Sequence, residues 1–594
     1  MTDDASKDCD DEERMKRKPS GDVPGRLSVV TWNVAGVNSN AFEFSFCNDS
    51  RYEDAVSFAR FVNSCIKALT DAGKSQTADG SSKTTSSDDA CAAFVRKSDV
   101  DYKTLLKDLL LVAERLDGKV HVKEGLSIAL KGILGGATGS LTVGESLHSA
   151  RRGHSGFSKA DMFFKARSWS FTNLRSSNIE EFFRESDPSV EASRWFERWL
   201  VDLSNTAAFQ ETDLKTLMQR WFVPIAVFDT VLYRAVRYAL STGRWKLKRL
   251  VEHMEGFVDS MNVDIDKKAN GIGSALLWVV RTYRPDIIAI QENNRYWNKR
   301  PQFHRAWKAI GKEYHVMDPD RIVNPQQVVQ LLIRRASGLH LCKKRTQRVR
   351  SAAKTDAILA KVRTKLKSTC GSFSDRMLDE QIQGLRKIVQ TTWVPAVLRT
   401  RCGSYILACG AHGNSKGTDN RAIVAITTVL AREYDYDVVL GMDANSNNVC
   451  KPKDVAHGAA SREEFNKFVD LVGLRSCFPT GGDDERSKHT VRKERTYLQM
   501  QLKKAERLDQ SLKDWVVSDF SFRRSVRVNN FDGPAAWTED DGKIWLEADC
   551  MPNSHCPSDH CMLISRLKCP GLDCGDPEAA RVSAAPAGGC CNIA

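Results

Sequence analysis

The chain lacks any run approaching the roughly 20 uninterrupted apolar residues that a membrane-spanning helix needs. Its opening stretch, MTDDASKDCDDEER, is acidic and has no apolar core of the kind a secretion signal carries. Both absences exclude the obvious spanning or secreted classes and lead to an intracellular expectation, cytoplasmic or nuclear. No internal repeat is present, which excludes solenoids and propellers. Composition is unremarkable for a folded chain, with 41% hydrophobic and 27% charged residues over 594 positions, so neither a disordered nor a fibrous protein is indicated. At this length several units, or one domain with large insertions, are expected. Cysteine, by contrast, is not scarce. Seventeen cysteines, an odd number scattered over the whole length, read as reduced thiols, and no structural disulfide is expected.

Basic residues outnumber acidic ones by 13, and most of that excess has one address. Between Arg334 and Lys367 twelve Lys or Arg stand against the single Asp356. Such a block is usually a solvated surface, and otherwise a contact for a phosphate-rich partner such as nucleic acid.

Along the chain, residues 1–25 are polar without an apolar period and read as a disordered tail. Residues 27–33, LSVVTWN, form a buried-strand pattern that delivers Asn33 to a turn. From 45 to 265 the spacing becomes helical, as in Leu105, Leu109, Val112 and Leu116, or Trp195, Trp199 and Leu203. Strand patterns return at 286–291, 391–398, 404–411, 436–443, 514–520 and 561–566, with helical stretches between several of them, including 421–433. Alternation of this kind predicts a layered α/β domain whose reactive residues collect at strand ends.

Five strand ends carry side chains suited to hydrolysing a phosphate ester: Asn33 in TWN, Glu292 in IQE, His412 in AHG, Asp443 and Asn445 in MDAN, and Asp559 with His560 in PSDH. A phosphoesterase needs oxygen ligands for a hard cation, a carboxylate to position or deprotonate water, and hydrogen-bonding or cationic groups on the phosphoryl oxygens. Each side chain alone has a plainer reading: His412 as a packed histidine, Asn33 as a turn residue.

The ordered series TWN, IQE, AHG, MDAN, PSDH resembles the endonuclease/exonuclease/phosphatase superfamily, which includes deoxyribonuclease-type nucleases, apurinic endonucleases, deadenylases, inositol polyphosphate phosphatases and neutral sphingomyelinases. The match covers residues 26–44, 266–333 and 391–567, which would form the catalytic domain. Residues 45–265 would be a helical insertion, 334–390 a basic insertion, and 568–594 a disordered tail. The resemblance implies a four-layer αββα sandwich, two mostly antiparallel sheets face to face with helices outside.

It also implies roles. Glu292 would be the principal Mg²⁺ ligand, with Asn33 and Asp559 beside the metal and Mn²⁺ an alternative ion. Asp443 would orient or deprotonate the attacking water, supported by Asn445, and His560 would contact the scissile phosphate. Asp514 matches the aspartate that bonds this histidine, although Asp519 follows on the same strand and is an alternative partner. His412 matches the second histidine of the deoxyribonuclease and phosphatase branches, and argues against the apurinic endonuclease branch. Two features depart from the family. Met442 separates Gly441 from Asp443 where Gly-Asp-x-Asn is usual, and the longer signatures of the inositol polyphosphate phosphatases are missing from LGMDANSN and HCPSDHCM.

The expected activity is therefore Mg²⁺-dependent hydrolysis of a phosphodiester or phosphomonoester by direct attack of water, with a nuclease on DNA or RNA the first reading. The alternatives are a membrane-associated lipid or small-molecule phosphoesterase, and an inactive scaffold. The membrane reading is motivated by Cys591-Asn592-Ile593-Ala594, which fits a prenylation box beside a second acylation site at Cys590. Gly73-Lys74-Ser75 lacks the leading glycine of a phosphate-binding loop, and Cys556, Cys561, Cys569 and Cys574 read as free thiols rather than a zinc site.

Overall fold

Runs such as RLSVVTWN, IIAIQEN and VVQLLIR have few residues that favour water, and in the computed structural model each becomes a buried strand. The structure describes residues 25–34, 53–75, 234–252, 265–325, 327–446, 450–478, 489–495, 507–529, 531, 551 and 556–572. Its strands are β1 (Arg26–Asn33), β2 (Ile287–Asn293), β3 (Tyr314–Met317), β4 (Val328–Arg334), β5 (His340–Leu341), β6 (Trp393–Arg399), β7 (Tyr405–His412) and β8 (Asp437–Asp443). There follow β9 (Arg475–Ser476), β10 (Val491–Arg495), β11 (Arg507–Ser511), β12 (Asp514–Ser518), β13 (Ser521–Val528) and β14 (Met562–Lys568). Twelve of them build two six-stranded sheets, ordered β13-β14-β1-β2-β4-β3 and β5-β6-β7-β8-β12-β9, and β10 with β11 forms a separate hairpin.

Period-two alternation explains how the sheets stack. Leu27, Val29, Ile287 and Ala289 of the first sheet face Val394, Ala408, Val439 and Val516 of the second in one shared core. Their neighbours Val30, Trp32, Ile288 and Ile290 point outward, against α2 (Ile265–Tyr283) and α3 (Pro301–Glu313). On the far side Leu407, Cys409, Leu440, Met442 and Trp515 point outward into a second helical layer. Helix, sheet, sheet, helix is the four-layer αββα sandwich that the sequence resemblance implies. Between β1 and α2 in the chain lies α1 (Glu53–Ser75), whose Phe58 packs edge-on to Trp245, with ring centroids 5.4 Å apart. The remaining helical expectations between 76 and 233 lie outside the described residues, as do residues 1–24 and the segment after Leu572, including Cys590 and Cys591.

The second helical layer contains the basic segment. It folds into α4 (Lys343–Ala352), α5 (Asp356–Thr369) and α6 (Asp375–Thr391), joined by α7 (Asn420–Tyr434) and α8 (Arg462–Leu471). Val349, Ile358, Val362, Leu366, Leu385 and Val389 share a core with Trp393, Leu407 and Leu440, so residues 334–390 form one face of the sandwich itself. Half of the twelve cations pair with carboxylates inside the fold: Arg334 with Asp286, Arg350 and Lys354 with Asp320, Lys361 with Glu433, and Arg363 and Lys367 with Asp375. Arg334 is buried and closes β4, so it offers no charge to a partner.

One expectation fails. Cys402 is disulfide-bonded, while the other nine described cysteines are free. An absent secretion signal is only indirect evidence on redox state.

Candidate active site

Strand direction gathers the site. β1 and β2 run parallel with Asn33 opposite Gln291, and β7 and β8 run parallel with His412 opposite Asp443. β12 runs antiparallel to β8 and begins opposite the same residue, with Asp514 facing Asp443. Four carboxyl-terminal strand ends and the amino-terminal ends of β12 and β14 therefore meet on one edge of the sandwich.

Alternation aims the side chains. On β8, Gly441 faces the first sheet, Met442 turns out into the helical layer, and Asp443 faces inward again. A Cβ on Gly441 would stand 2.9 Å from the Cβ of Ala289 and 3.2 Å from that of Thr31. The glycine therefore permits the close approach of the two sheets immediately beneath the site. Met442 leaves the strand regular, since β8 keeps unbroken register with β7 and β12 through it. Glu292 is aimed differently. Pairing of β2 with β4 shifts register between Ile290 and Asn293, and Glu292 takes a left-handed φ of 55°. That conformation is costly for a residue with a Cβ, and such bulges recur where a side chain must be re-aimed.

Asp443 is the hub. Its Oδ2 accepts a 2.9 Å hydrogen bond from Asn33 Nδ2, and its Oδ1 accepts one of 2.7 Å from the backbone N–H of Asn445. His412 Nε2 lies 3.6 Å from both Asp443 Oδ2 and Glu292 Oε1. Asn445, itself left-handed at φ 48°, donates its side-chain amide to the Gly413 carbonyl at 3.0 Å. Gly417 closes this loop at φ +66°, where a Cβ would come within 2.7 Å of the Asn445 carbonyl oxygen.

On the other side, His560 Nδ1 is 2.8 Å from Asp514 Oδ2, both side chains being buried. Asp514 is thus the carboxylate that holds this histidine. Asp519 instead binds Arg432 and the backbone N–H of Val438 at the opposite end of the strand. Asp559 Oδ1 lies 4.0 Å from His560 Nε2. Potential ligand atoms of Asp443, Asp514 and His560 lie within 4.8 Å of one another, so the two halves form one cluster. All eight residues singled out by sequence are brought together.

Burial and charge oppose each other here. Burial alone would push the Asp443 carboxyl up, but His560, His412, Lys513 and the Asn33 hydrogen bond together hold it below its ordinary value. Burial raises Asp514, against the pull of His560. For His560 burial acts downward and is outweighed by Asp514, Asp559 and Asp443, which lift it to about 9. At neutral pH the arrangement holds an anionic Asp443 beside a cationic imidazole.

Three supporting residues escaped the sequence reading. Ser558 donates to the Asn33 carbonyl at 2.6 Å and accepts from the His560 N–H at 3.1 Å, stapling the PSDH loop to the end of β1. Trp32 Nε1 donates to the His560 carbonyl at 3.1 Å. Thr490 accepts from the backbone N–H of both Lys513 and Asp514, fixing the start of β12. Ser558 lay inside a recognised motif and was legible in principle, whereas Thr490 belongs to none.

No family model matches the chain, and no curated protein matches it. Among solved structures it is similar to D. rerio TDP2 complexed with a single-strand DNA product, at 11% identity and a TM-score of 0.27 over 50% of this chain and 92% of that one. It is similar also to Caenorhabditis elegans TDP2, at 12% identity and a TM-score of 0.29 over 66% and 94%. A third is the human Nocturnin catalytic domain, at 11% identity and 0.28 over 52% and 89%. At such identities and scores these likenesses carry no argument about activity, which rests on the geometry of the site.

Proposed function

We propose that the chain is a divalent-metal-dependent phosphoesterase that cleaves a phosphate ester by direct attack of water. The observation that carries this reading is the buried Asp443, gripped by Asn33 and Asn445, between Glu292 with His412 on one side and the Asp514–His560 pair on the other. Glu292, Asn33 and Asp559 offer oxygen donors around this point, a set suited to a hard cation such as Mg²⁺ or Mn²⁺. The closer cluster of Asp443, Asp514 and His560 fits a metal less well, because His560 Nδ1 already faces Asp514. A bound divalent ion would supply charge neutralisation on the phosphoryl oxygens.

The protein's own groups supply the rest. Asp443, kept ionised, accepts a proton from the attacking water as its oxygen bonds to phosphorus and the bond to the leaving oxygen breaks. Asn445 fixes that carboxylate through its backbone N–H. His560, protonated on both nitrogens, is oriented by Asp514 and presents Nε2 to a phosphoryl oxygen, where charge builds in the transition state. No covalent enzyme intermediate is required.

For the substrate we infer a nucleic acid, DNA or RNA. Just past Glu292, Tyr296 is exposed (46%) with Lys299 Nζ over its ring, 6.0 Å from the centroid, an exposed aromatic and cation pair of the kind that meets a nucleic-acid strand. A Mg²⁺ hydrolysis panel of single- and double-stranded DNA, RNA, poly(A), phosphoinositides and sphingomyelin, with Glu292→Ala as control, tests the reading. Cleavage of an oligonucleotide lost in the control is expected, and cleavage confined to a lipid would reverse the substrate assignment.

A further inference from the structure

Of the six cations of the basic segment that pair with no carboxylate among the described residues, four gather at one place, while Arg335 lies beside His315 and Lys365 sits on α5. Lys343, Lys344, Arg345 and Arg348 are exposed on the first turns of α4. The Arg345 guanidinium lies 4.1 Å from the Tyr405 ring centroid and donates to the Tyr436 hydroxyl at 3.1 Å. Arg348 lies 4.9 Å from the Tyr434 ring, which stacks on Tyr436 at 5.7 Å. Arg399, exposed, pairs across the ladder from Tyr405. Asp435 and Asp437 are the carboxylates beside this patch, while Asp519 is held by Arg432 and Glu433 by Lys361, so the patch stays positive.

Its place in the fold decides what it does. Tyr405 begins β7 and Tyr436 precedes β8, whereas His412 and Asp443 end those strands, so patch and site are separated by the strand length, about 23 Å. The cations therefore do not line the reacting phosphate. Nor does the patch offer a stacking platform to bases, because its tyrosine faces are covered by its own guanidinium groups or, at Tyr436, buried. What remains is a fixed array of donors facing outward, the geometry that suits a layer of phosphate headgroups. The chain also leaves the sandwich at this end: the Cys402 N–H bonds the Gly571 carbonyl, and Gly571 packs on Thr400 and Ser404. The segment that follows carries Cys590 and Cys591.

We propose that this end of the sandwich docks on an anionic lipid surface, leaving the site at the other end facing the solution. A protein held this way acts on a phosphate ester delivered from solution rather than on headgroups of the membrane it rests on.

The test uses the full recombinant chain, without lipid modification, sedimented with phosphatidylserine-containing or pure phosphatidylcholine vesicles. Binding to the first alone, weakened by salt, is expected. Lys343→Gln with Lys344→Gln should lower the vesicle affinity about thirtyfold, at about fivefold per cation, while Lys308→Gln with Lys312→Gln on α3 leaves it unchanged. Equal binding to neutral vesicles, an unaffected double variant, or a patch that retains a single-stranded oligonucleotide but not the anionic vesicles would overturn the proposal.

Discussion

Strands β7 and β8 place charge in opposite ways at their two ends. At one end Asp443, Asp514 and His560 are buried with His412 half-buried beside them, and each buried charge faces a partner of opposite sign or a hydrogen-bond donor. At the other, Arg345 and Arg348 lie against tyrosine rings with their charge turned to solvent. Buried charges must be compensated locally and so become fixed in position, which is what directing a reaction requires. Exposed charges cost little to hold and act on whatever surface approaches. A basic block in the sequence is therefore a poor guide to where phosphate chemistry takes place, and the strand ends are the better one.

The largest effect that sharpens this contrast is expected at the buried end. His560→Ala should lower turnover by about a hundredfold or more, since a group that contacts the transferring phosphoryl typically contributes that much. Kinetics on protein whose melting temperature is measured beside it would separate this from unfolding. Next in size is Gly441→Ala, which forces a Cβ against Ala289 beneath the site and should cost about 1–3 kcal/mol in denaturant unfolding. An unchanged midpoint would mean that the two sheets do not pack so closely there.

A smaller effect concerns pH. Because His560 is lifted to about 9 in the folded protein, its contribution to stability is complete below its ordinary value near 6.5 and is lost as pH rises through about 9. Metal-free protein should thus become less stable across that window, and His560→Asn should flatten the slope. At the exposed end, Lys343→Gln with Lys344→Gln should leave hydrolysis of a soluble substrate unchanged and shift stability by less than about 0.5 kcal/mol. A fall in turnover would contradict the separation of the two ends.

The site was legible in sequence because each of its residues closes or opens a short apolar strand, and strands of one direction bring such ends together. Asp514 could not be told from Asp519 by sequence, since both flank the same strand; only the position of His560 decides. Thr490 was invisible because its hydroxyl bonds backbone, a role that many residues in many places can play. Strand β13, SFRRSVRV, alternates charge with apolar residues at a sheet edge and offers no buried run to recognise. The basic block was visible as composition, but its pairing was not: the acids that neutralise half of it come from Asp286, Asp320, Asp375 and Glu433, brought in by the fold.

The most direct test of the account is Asp443→Asn, which keeps the shape of the hub and removes its charge. Turnover of a Mg²⁺-supported substrate, measured beside the calorimetric melting temperature, should fall by about a hundredfold or more while the melting temperature moves by only a few degrees. Retained activity, or a loss that follows the loss of folded protein, would contradict the placing of the reaction at this carboxylate.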